Sequence, residues 1–541
     1  MSASTQKKIR QQEREQGVEK HQLAEQKAEK AAKRASRVKL TSWIVVIVIL
    51  AVALLISSGF YYSHFTALKA GDVSYSAAEY NFFYKSYVNN FVTQNSQYLS
   101  YLGLDTTKPY DKQQCGISEG KTWEEYFKDS VKSEIQEVTA MYADAEKNGF
   151  KLSEDDQKSL DDTLSSIETS YKTSDYSTAN AYIASLYGKG CTVAIARDLI
   201  TKSYIAQSYS ADKEKSLTYT EDDLKSYYDS NKDDLDSYTY VNYFVSGEAS
   251  TSSSAATATD VSASPAASET DVSASPAASE TAVSASPAAS ASPSPSAEEL
   301  MTAAKEKADG IVAAGKTEDA FKAAAKVVSG SDVSESTTQG KSLTSDYANW
   351  LKDASRKAGD TTVIKTDKGY YAMYYVSRET NDYFTQNVRH ILFKATADSN
   401  GSYTDEAKAA AKEKADAELA KWKAGDKTED SFAALAQADS EDTGSKANGG
   451  LYENVYKGQM VSTFEDWCFD ASRKAGDTGV IYGEASGSYA GYHVMYYVGQ
   501  GEMYRYKLAE DAKREADFTS WKDALIKNYE LKEGWTAKFV G

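Results

Sequence analysis

Cysteine, histidine and proline are all scarce in this chain of 541 residues. Three cysteines are too few for a disulfide scaffold and their spacing fits no zinc motif, although one Cys115–Cys191 disulfide remains open. Five of the six prolines lie within residues 248–298, a stretch of Ser, Ala and Pro with tandem 11-residue repeats. Because this composition cannot bury a core, we predict that it is a disordered insert.

Basic charge is also scarce outside the first forty residues. The net charge is −18, which argues against nucleic acid as a partner for the bulk of the chain. Residues 1–40 nevertheless hold 11 Lys or Arg against 5 Glu, a net of +6, and so leave −24 for all that follows. We interpret residues 1–40 as a basic cytoplasmic tail, for which a solvated topology signal is the simplest role.

One long apolar run follows this tail. Residues 43–60 carry no charge, and 18 helical residues at about 1.5 Å each nearly cross a hydrocarbon layer of about 30 Å. Four basic residues precede the run closely, whereas Lys69 is the first one after it. The positive-inside rule therefore predicts a single-pass anchor over 41–63 in the cell membrane, with a cytoplasmic N-terminus and an extracytoplasmic body. A cleaved signal peptide is the alternative, against which the long basic leader argues.

The exported part begins with a block, residues 64–236, whose apolar residues recur every three or four positions, as in amphipathic helices. This block contains no catalytic constellation. Beyond it lies an internal repeat: residues 350–360 (WLKDASRKAGD) match residues 467–477 (WCFDASRKAGD), and residues 369–376 match residues 491–498. Each copy runs from an apolar strand through helices to an alternating aromatic strand. We predict two tandem α+β domains, residues 237–382, which include the insert, and residues 386–501.

Only two of the four histidines lie in a predicted exported domain, and both are in the second copy. His390 is on its first strand and His493 on its last, where the sequence match gives the first copy Tyr243 and Tyr371. If these strands are neighbours, the two imidazoles meet. The alternative is a purely structural role, in which two buried histidines hydrogen-bond to each other in the core. A metal site lacks a third ligand, and pairing with Cys468 as a nucleophile conflicts with the apolar surroundings of that residue.

The second copy also carries four motifs in a recognisable order. Residues 388–394 (VRHILFK), the serine-acid and Gly-Gly segment, the GQM segment of 431–470, and GYHVMYYV at 491–498 resemble a parvulin-type peptidyl-prolyl isomerase of the PpiC (rotamase) kind. The resemblance implies a catalytic set without metal or cofactor, and a substrate-binding set around a proline pocket. The catalytic residues by position are His390, Asp442 and His493; the substrate-binding residues are Gln459, Met460, Phe464 and Tyr452, the last standing where the family usually has Leu.

The first copy resembles a degenerate parvulin, since it has no Gly-Gly or GQM motif. The block 64–236 is similar to the N-terminal chaperone region of SurA/PrsA-type foldases. In that family a C-terminal helix returns to the N-terminal helices, and Phe518, Trp521, Leu525 and Tyr529 within 502–541 are spaced for such a helix. The resemblance implies an α+β fold with an N-terminal transmembrane helix, a helical chaperone domain completed by 502–541, and two parvulin-like domains.

These observations predict a membrane-anchored isomerase and chaperone that assists folding of exported proteins at the outer face of the membrane. Its partners would be unfolded or partly folded exported chains with X–Pro bonds, and the membrane through residues 41–63, but not nucleic acid. A non-catalytic holdase that only grips unfolded polypeptide is the alternative. A third reading, an adhesin or wall spacer, draws on the insert alone.

Overall fold

The computed structural model describes residues 3–11, 14, 43–50, 60–248, 295–485 and 488–541. Within this part of the chain, no helix combines the length and the apolarity needed to cross a membrane. Residues 51–59 of the predicted anchor, most of the predicted tail 1–40, and 249–294 of the predicted insert lie outside the described residues. The chain divides into two compact units, Met1–Thr218 with Arg514–Gly541, and Tyr219–Lys513.

The first unit is mainly helical and closes with a small antiparallel sheet in the order β11-β1-β2. Its helices are α1 (Phe60–His64), α2 (Ala77–Gln94), α3 (Trp123–Lys147), α4 (Glu154–Thr169), α5 (Ala179–Tyr187) and α6 (Val193–Lys215), and its strands are β1 (Thr66–Ala70), β2 (Val73–Ser76) and β11 (Leu531–Glu533). Short 3-10 turns lie at Tyr110–Lys112, Ser170–Thr173 and Trp535–Phe539.

Helix α3 shows how the sequence forms this unit. The Thr122 hydroxyl accepts from the Glu125 backbone N–H, and the Glu125 carboxylate accepts from the Thr122 N–H, so a capping box starts the helix. Every fourth side chain from residue 123 to residue 135 is fully buried in the core, as the periodicity predicts: Trp123, Phe127, Val131 and Ile135. The helix stops before Gly149, which has a φ of +66° that favours glycine.

The C-terminal segment differs from the single helix predicted over 502–541. Helix α14 (Tyr504–Ile526) ends before Tyr529, and the chain continues as strand β11 and a 3-10 turn. Strand β11 pairs antiparallel with β1, with Leu531 opposite Ala70. The backbone groups of residues 531–533 therefore bond across strands, which a continuing helix would prevent. Within the first unit, Trp521 of this segment packs edge-on against Tyr209 at 6.2 Å.

The second unit contains two four-stranded antiparallel sheets of the same design, in the orders β4-β3-β6-β5 and β8-β7-β10-β9. The first half comprises α7 (Glu221–Leu235), β3 (Ser237–Ser246), α8 (Ala297–Ala314), α9 (Glu318–Ser329), β4 (Glu335–Gln339), α10 (Ser345–Lys352), β5 (Thr361–Lys365) and β6 (Gly369–Glu379). The second half comprises β7 (Phe384–Lys394), α11 (Asp405–Ala424), α12 (Glu429–Asp439), β8 (Leu451–Val455), α13 (Ser462–Cys468), β9 (Thr478–Ala485) and β10 (Tyr489–Met503).

Helix α7 packs in the second unit, although the predicted helical block ran to residue 236. Its Tyr228 and Leu235 form a buried cluster with Ala509. The Tyr228 hydroxyl also donates to the Asp236 carboxylate, and Arg378 of strand β6 donates to the same carboxylate at 2.7 Å. A buried, paired carboxylate thus ties α7 to the first sheet.

The motif that repeats at an interval of 117 residues forms the same corner in both halves. The Arg356 guanidinium lies 4.4 Å from the Trp350 ring centroid and Nε donates to the Trp350 carbonyl at 3.2 Å. In the second half, Arg473 stacks on Trp467 at 4.1 Å and Nε donates to the Trp467 carbonyl at the same 3.2 Å. The repeat therefore encodes a cation–π corner and not a chemical site.

The strand pairing corrects one equivalence drawn from the sequence. His390 lies opposite Met495, and the counterpart of Met495 in the first sheet, Met373, lies opposite Asn242. Asn242 therefore takes the place of His390, and Tyr243 points to the other face, where it packs against the α8 and α9 core. The motif match was out by one residue, and with a side-chain period of two that error exchanges the faces of the strand.

Candidate active site

The two histidines of the second sheet are diagonal neighbours on one face. His390 lies opposite Met495 on the central strands β7 and β10, and His493 is two residues before Met495. Their Nδ1 atoms are 2.9 Å apart and the rings are stacked at 5.1 Å. The side chains are almost wholly inaccessible, with residue exposures of 3% and 4%. The sheet thus brings together two residues that are 103 positions apart in sequence.

A loop between α12 and β8 brings Asp442 to this pair. Two hydrogen bonds hold the loop against β7. The Leu392 N–H donates to the Ser440 hydroxyl at 3.2 Å, and the Glu441 N–H donates to the Leu392 carbonyl at 2.9 Å. With the loop pinned there, Asp442 Oδ2 lies 2.9 Å from His390 Nε2.

The Gly-Gly motif at the end of the loop fits the backbone closely against β7. The Gly450 carbonyl accepts from the His390 N–H at 2.8 Å. Gly450 has a φ of +73°, and a Cβ there would lie 2.2 Å from the His390 carbonyl oxygen. Glycine is required for both reasons, and the motif serves to position the loop and not to contact substrate.

When both imidazoles are neutral, the hydrogen bonds among these groups run in one direction. The Asp442 carboxylate only accepts, so His390 Nε2 carries the proton and His390 Nδ1 is left as an acceptor. His493 Nδ1–H then donates to His390, and His493 Nε2 accepts from the Tyr489 hydroxyl at 3.0 Å. The result is a hydrogen-bonded chain of two imidazoles between a phenol and a carboxylate.

The surroundings shift the pKa values of Asp442 and His493. The hydrogen bond from His390 holds the pKa of Asp442 well below its usual range, and the Ser445 hydroxyl adds to that effect against the cost of burial. Burial, followed by repulsion from His390, lowers the pKa of His493 to about 3. At neutral pH Asp442 is therefore ionised and His493 is neutral.

Three hydroxyls complete the site, and the sequence motifs pointed to only one of them. The Ser445 hydroxyl donates to Asp442 Oδ2 at 2.5 Å, and the Tyr452 hydroxyl donates to the same oxygen at 3.2 Å. Burial, and then the charge of Asp442, raise the pKa of Tyr452 to about 12. Tyr489 was missed, although its position four residues before His493 on one strand places both on the same face. Gly483 leaves room for this contact, since a Cβ there would lie 2.6 Å from His493 Nε2.

The predicted proline-pocket residues occupy different depths. Phe464 is 2% exposed and presents its ring edge-on to both imidazoles, at 5.6 Å from His390 and 5.4 Å from His493. Met460 and Tyr452 are half-buried and pack against the apolar cluster that contains Phe464. Both are more exposed than Phe464. Gln459 is exposed and its hydrogen bonds go to the backbone of Tyr456, so the structure does not join it to the network.

Other chemistries find little support in the described part of the chain. Burial raises the pKa of the Cys468 thiol to about 12, so it is a core thiol and not a nucleophile. Cys115 and Cys191 are buried and unbonded. Among the described residues, no group of three or more His, Cys, Asp or Glu side chains could hold a metal ion.

Residues 371–495 match the protein family described as the PPIC-type PPIase domain. This range includes His390, Asp442 and His493 together with the strands and the loop that position them. The chain contains a parvulin-type peptidyl-prolyl isomerase domain. The match begins inside strand β6 of the first sheet and includes residues 371–379 of that strand. It then covers the second sheet as far as residue 495 in strand β10.

Two solved structures of the peptidylprolyl isomerase PrsA are similar to the chain. The one from Bacillus anthracis is 22% identical, covers 27% of this chain and 58% of its own, and has a TM-score of 0.16. The one from Bacillus cereus is 25% identical, covers 29% of this chain and 55% of its own, and has a TM-score of 0.17. This chain thus matches less than two thirds of the length of either. No curated protein matches the chain.

Proposed function

We propose that this protein catalyses cis–trans isomerisation of X–Pro bonds in exported polypeptides, as a foldase held at the outer face of the cell membrane by residues 41–63. The observation that carries the proposal is the Asp442–His390–His493 network, which lies over Phe464 in the isomerase domain. The anchor and the extracytoplasmic location rest on the uncharged run 43–60 and its basic flank.

The reaction needs no bond to be made or broken. Resonance gives the imide C–N bond its double-bond character and a rotation barrier of about 18–20 kcal/mol, and it also places partial negative charge on the carbonyl oxygen of the planar forms. In the twisted state that charge returns to nitrogen. A site that binds the twisted imide more tightly than either planar form lowers the barrier.

The residues suit that task in two ways. An ionised Asp442 beside a bound carbonyl disfavours the negative oxygen of the planar imide and so favours the twisted state. Met460 and Tyr452, half-buried beside Phe464, offer apolar surface for the proline ring. The histidine pair holds Asp442 in place, because His390 Nε2 donates a hydrogen bond to its carboxylate.

The test uses the full chain in detergent and follows the cis-to-trans relaxation of short X–Pro peptides that differ in the residue before proline. Asp442→Asn keeps the shape of the side chain and removes its charge, and we expect kcat/KM to fall by about 10- to 100-fold. Asp466→Asn, an exposed acid on α13, is the matched control and should leave the rate unchanged.

A well-folded chain that accelerates none of these peptides would refute the isomerase and leave holding of unfolded chain as the function. An Asp442→Asn variant as fast as wild type would remove the carboxylate from the mechanism. The location is tested separately: extraction of membranes with alkaline carbonate should leave the protein in the pellet, and protease added outside intact cells should degrade its body.

A further inference from the structure

A groove of about 720 Å³ lies in the first unit between helices α3 and α6, with α2 at one end. Its walls are two helix faces whose lining positions follow the same spacing of three and four residues. On α3 these are Ser130, Ser133, Glu134, Glu137, Val138 and Met141, and on α6 they are Ser203, Ala206, Gln207, Ser210, Ala211 and Glu214.

The charge of the groove is one-sided. It is lined by three carboxylates, from Glu134, Glu137 and Glu214, and by no Lys or Arg among the described residues. Glu137 is paired with Lys522 at 3.4 Å. Glu134 has no ion-pair partner in the described part of the chain, and burial, followed by the charge of Glu137, raises its pKa to about 7. An uncompensated carboxylate in a partly buried groove favours a cationic ligand.

The rest of the lining sets the form of that ligand. Val138 and the buried Met141 lie next to the Glu134 turn of α3 and provide an apolar surface of the kind that the aliphatic stem of Lys or Arg covers. The hydroxyls of Ser130 and Ser133 donate to carbonyls of their own helix and can accept from a peptide N–H, whereas Ser203 and Ser210 on α6 add two more hydroxyls. A volume of this size accommodates several residues of extended chain, more than a simple cation requires.

We propose that this groove binds an extended segment of client polypeptide and that Glu134 receives a Lys or Arg side chain of that segment. The inference rests on the proposed foldase function and adds a substrate preference at a place distinct from the isomerase site. It assigns to the helical unit a chemical selectivity that proline recognition in the other unit does not supply.

The experiment measures binding of fluorescein-labelled 12-residue peptides without proline to the full chain in detergent. One peptide has a central Lys and the other has norleucine there, which keeps the stem and removes the charge. We expect the Lys peptide to bind about tenfold more tightly. Glu134→Gln should abolish that difference, whereas Asp162→Asn, which makes the same change of charge at an exposed site on α4, should preserve it.

Two controls keep the outcomes distinct. The thermal unfolding of Glu134→Gln, followed by circular dichroism, should match that of wild type, which shows that the helical unit is folded, and its isomerase rate should also be unchanged. Equal binding of the two peptides, or equal behaviour of the two variants, would overturn the proposal and leave peptide holding intact. Competition by spermidine at the affinity of the Lys peptide would also overturn it, in favour of a polyamine site. A chain that binds neither peptide would refute peptide holding itself.

Discussion

The two sheets of the second unit have the same strand order and the same irregularity, yet only one carries an active-site network. In both, the pairing of the central strands skips one residue at matching places, Val376 in β6 and Val498 in β10. His493 corresponds to Tyr371, which packs against Phe244 at 4.8 Å, and His390 corresponds to Asn242. The two sheets therefore share their strand pairing, and they differ in the side chains at the two histidine positions.

The larger difference between the halves is the loop that follows the second helix. Five residues, 330–334, separate α9 from β4, whereas eleven residues, 440–450, separate α12 from β8. The loop in the second half is six residues longer, and it carries Asp442, Ser445 and the Gly-Gly turn. The carboxylate that contacts His390 therefore comes from this loop and not from the sheet face.

We expect the largest effect from a substitution that prevents this loop from packing against β7. Gly450→Ala places a methyl group 2.2 Å from the His390 carbonyl oxygen at a φ of +73°, and should destabilise the isomerase half by about 3 kcal/mol or more. Gly401→Ala has a similar φ of +77° with open space around it, so it isolates the cost of φ alone. Hydrogen exchange of β7 and β8 peptides should separate the two variants, and equal protection would contradict the clash.

Acid should also distinguish the halves. The unfolded chain protonates His493 near pH 6.5, whereas the folded chain does so only near pH 3. His493 therefore contributes its full stabilisation to the free energy of unfolding above pH 6.5. This contribution, on the order of a few kcal/mol, is lost as the pH falls toward 3. The depressed pKa of Asp442 acts in the same direction at lower pH.

Hydrogen exchange of β10 against β6 between pH 7 and pH 4, corrected for the intrinsic rate, measures this effect. We expect protection of β10 to fall more steeply than that of β6, and His493→Phe to remove most of the excess slope. Parallel loss of protection in both strands would contradict the assignment of a neutral, buried His493.

Tyr489 offers a smaller change at the far end of the network. Tyr489→Phe removes the hydroxyl that donates to His493 Nε2, which is worth about 1 kcal/mol, and should lower kcat/KM by about three- to tenfold. Tyr371→Phe makes the same chemical change on the first sheet and should leave kcat/KM as it is. An unaltered rate in Tyr489→Phe would show that the hydroxyl does not position the imidazoles.

The smallest expected effect comes from transplanting histidines to the first sheet. In a chain slowed by Asp442→Asn, the double change Asn242→His and Tyr371→His places two imidazoles on the first sheet without adding a carboxylate. We expect no recovery of isomerase activity in the peptide assay. A recovery would show that a histidine pair can act without the loop and its carboxylate.

How far the sequence predicts this site depends on the residue. His390, Asp442 and His493 were identified from motifs, and the structure brings all three together. Tyr489 lies in no motif, and its role follows from sharing a strand face with His493. Tyr452 was assigned to substrate, yet its hydroxyl donates to Asp442, a contact that depends on how the loop folds back. Gln459 was carried over by position and lies apart from the network.

Local sequence accounts for three features of this protein: the capping box of α3, the cation–π corners 117 residues apart, and the alternation of the aromatic strands. Tertiary structure decided what depends on distant segments. Strand pairing placed Asn242 and not Tyr243 beside Tyr371, because a shift of one residue exchanges the faces of a strand. Pairing with β1 likewise ended the C-terminal helix at Ile526, because residues 531–533 bond to a strand more than 450 positions earlier.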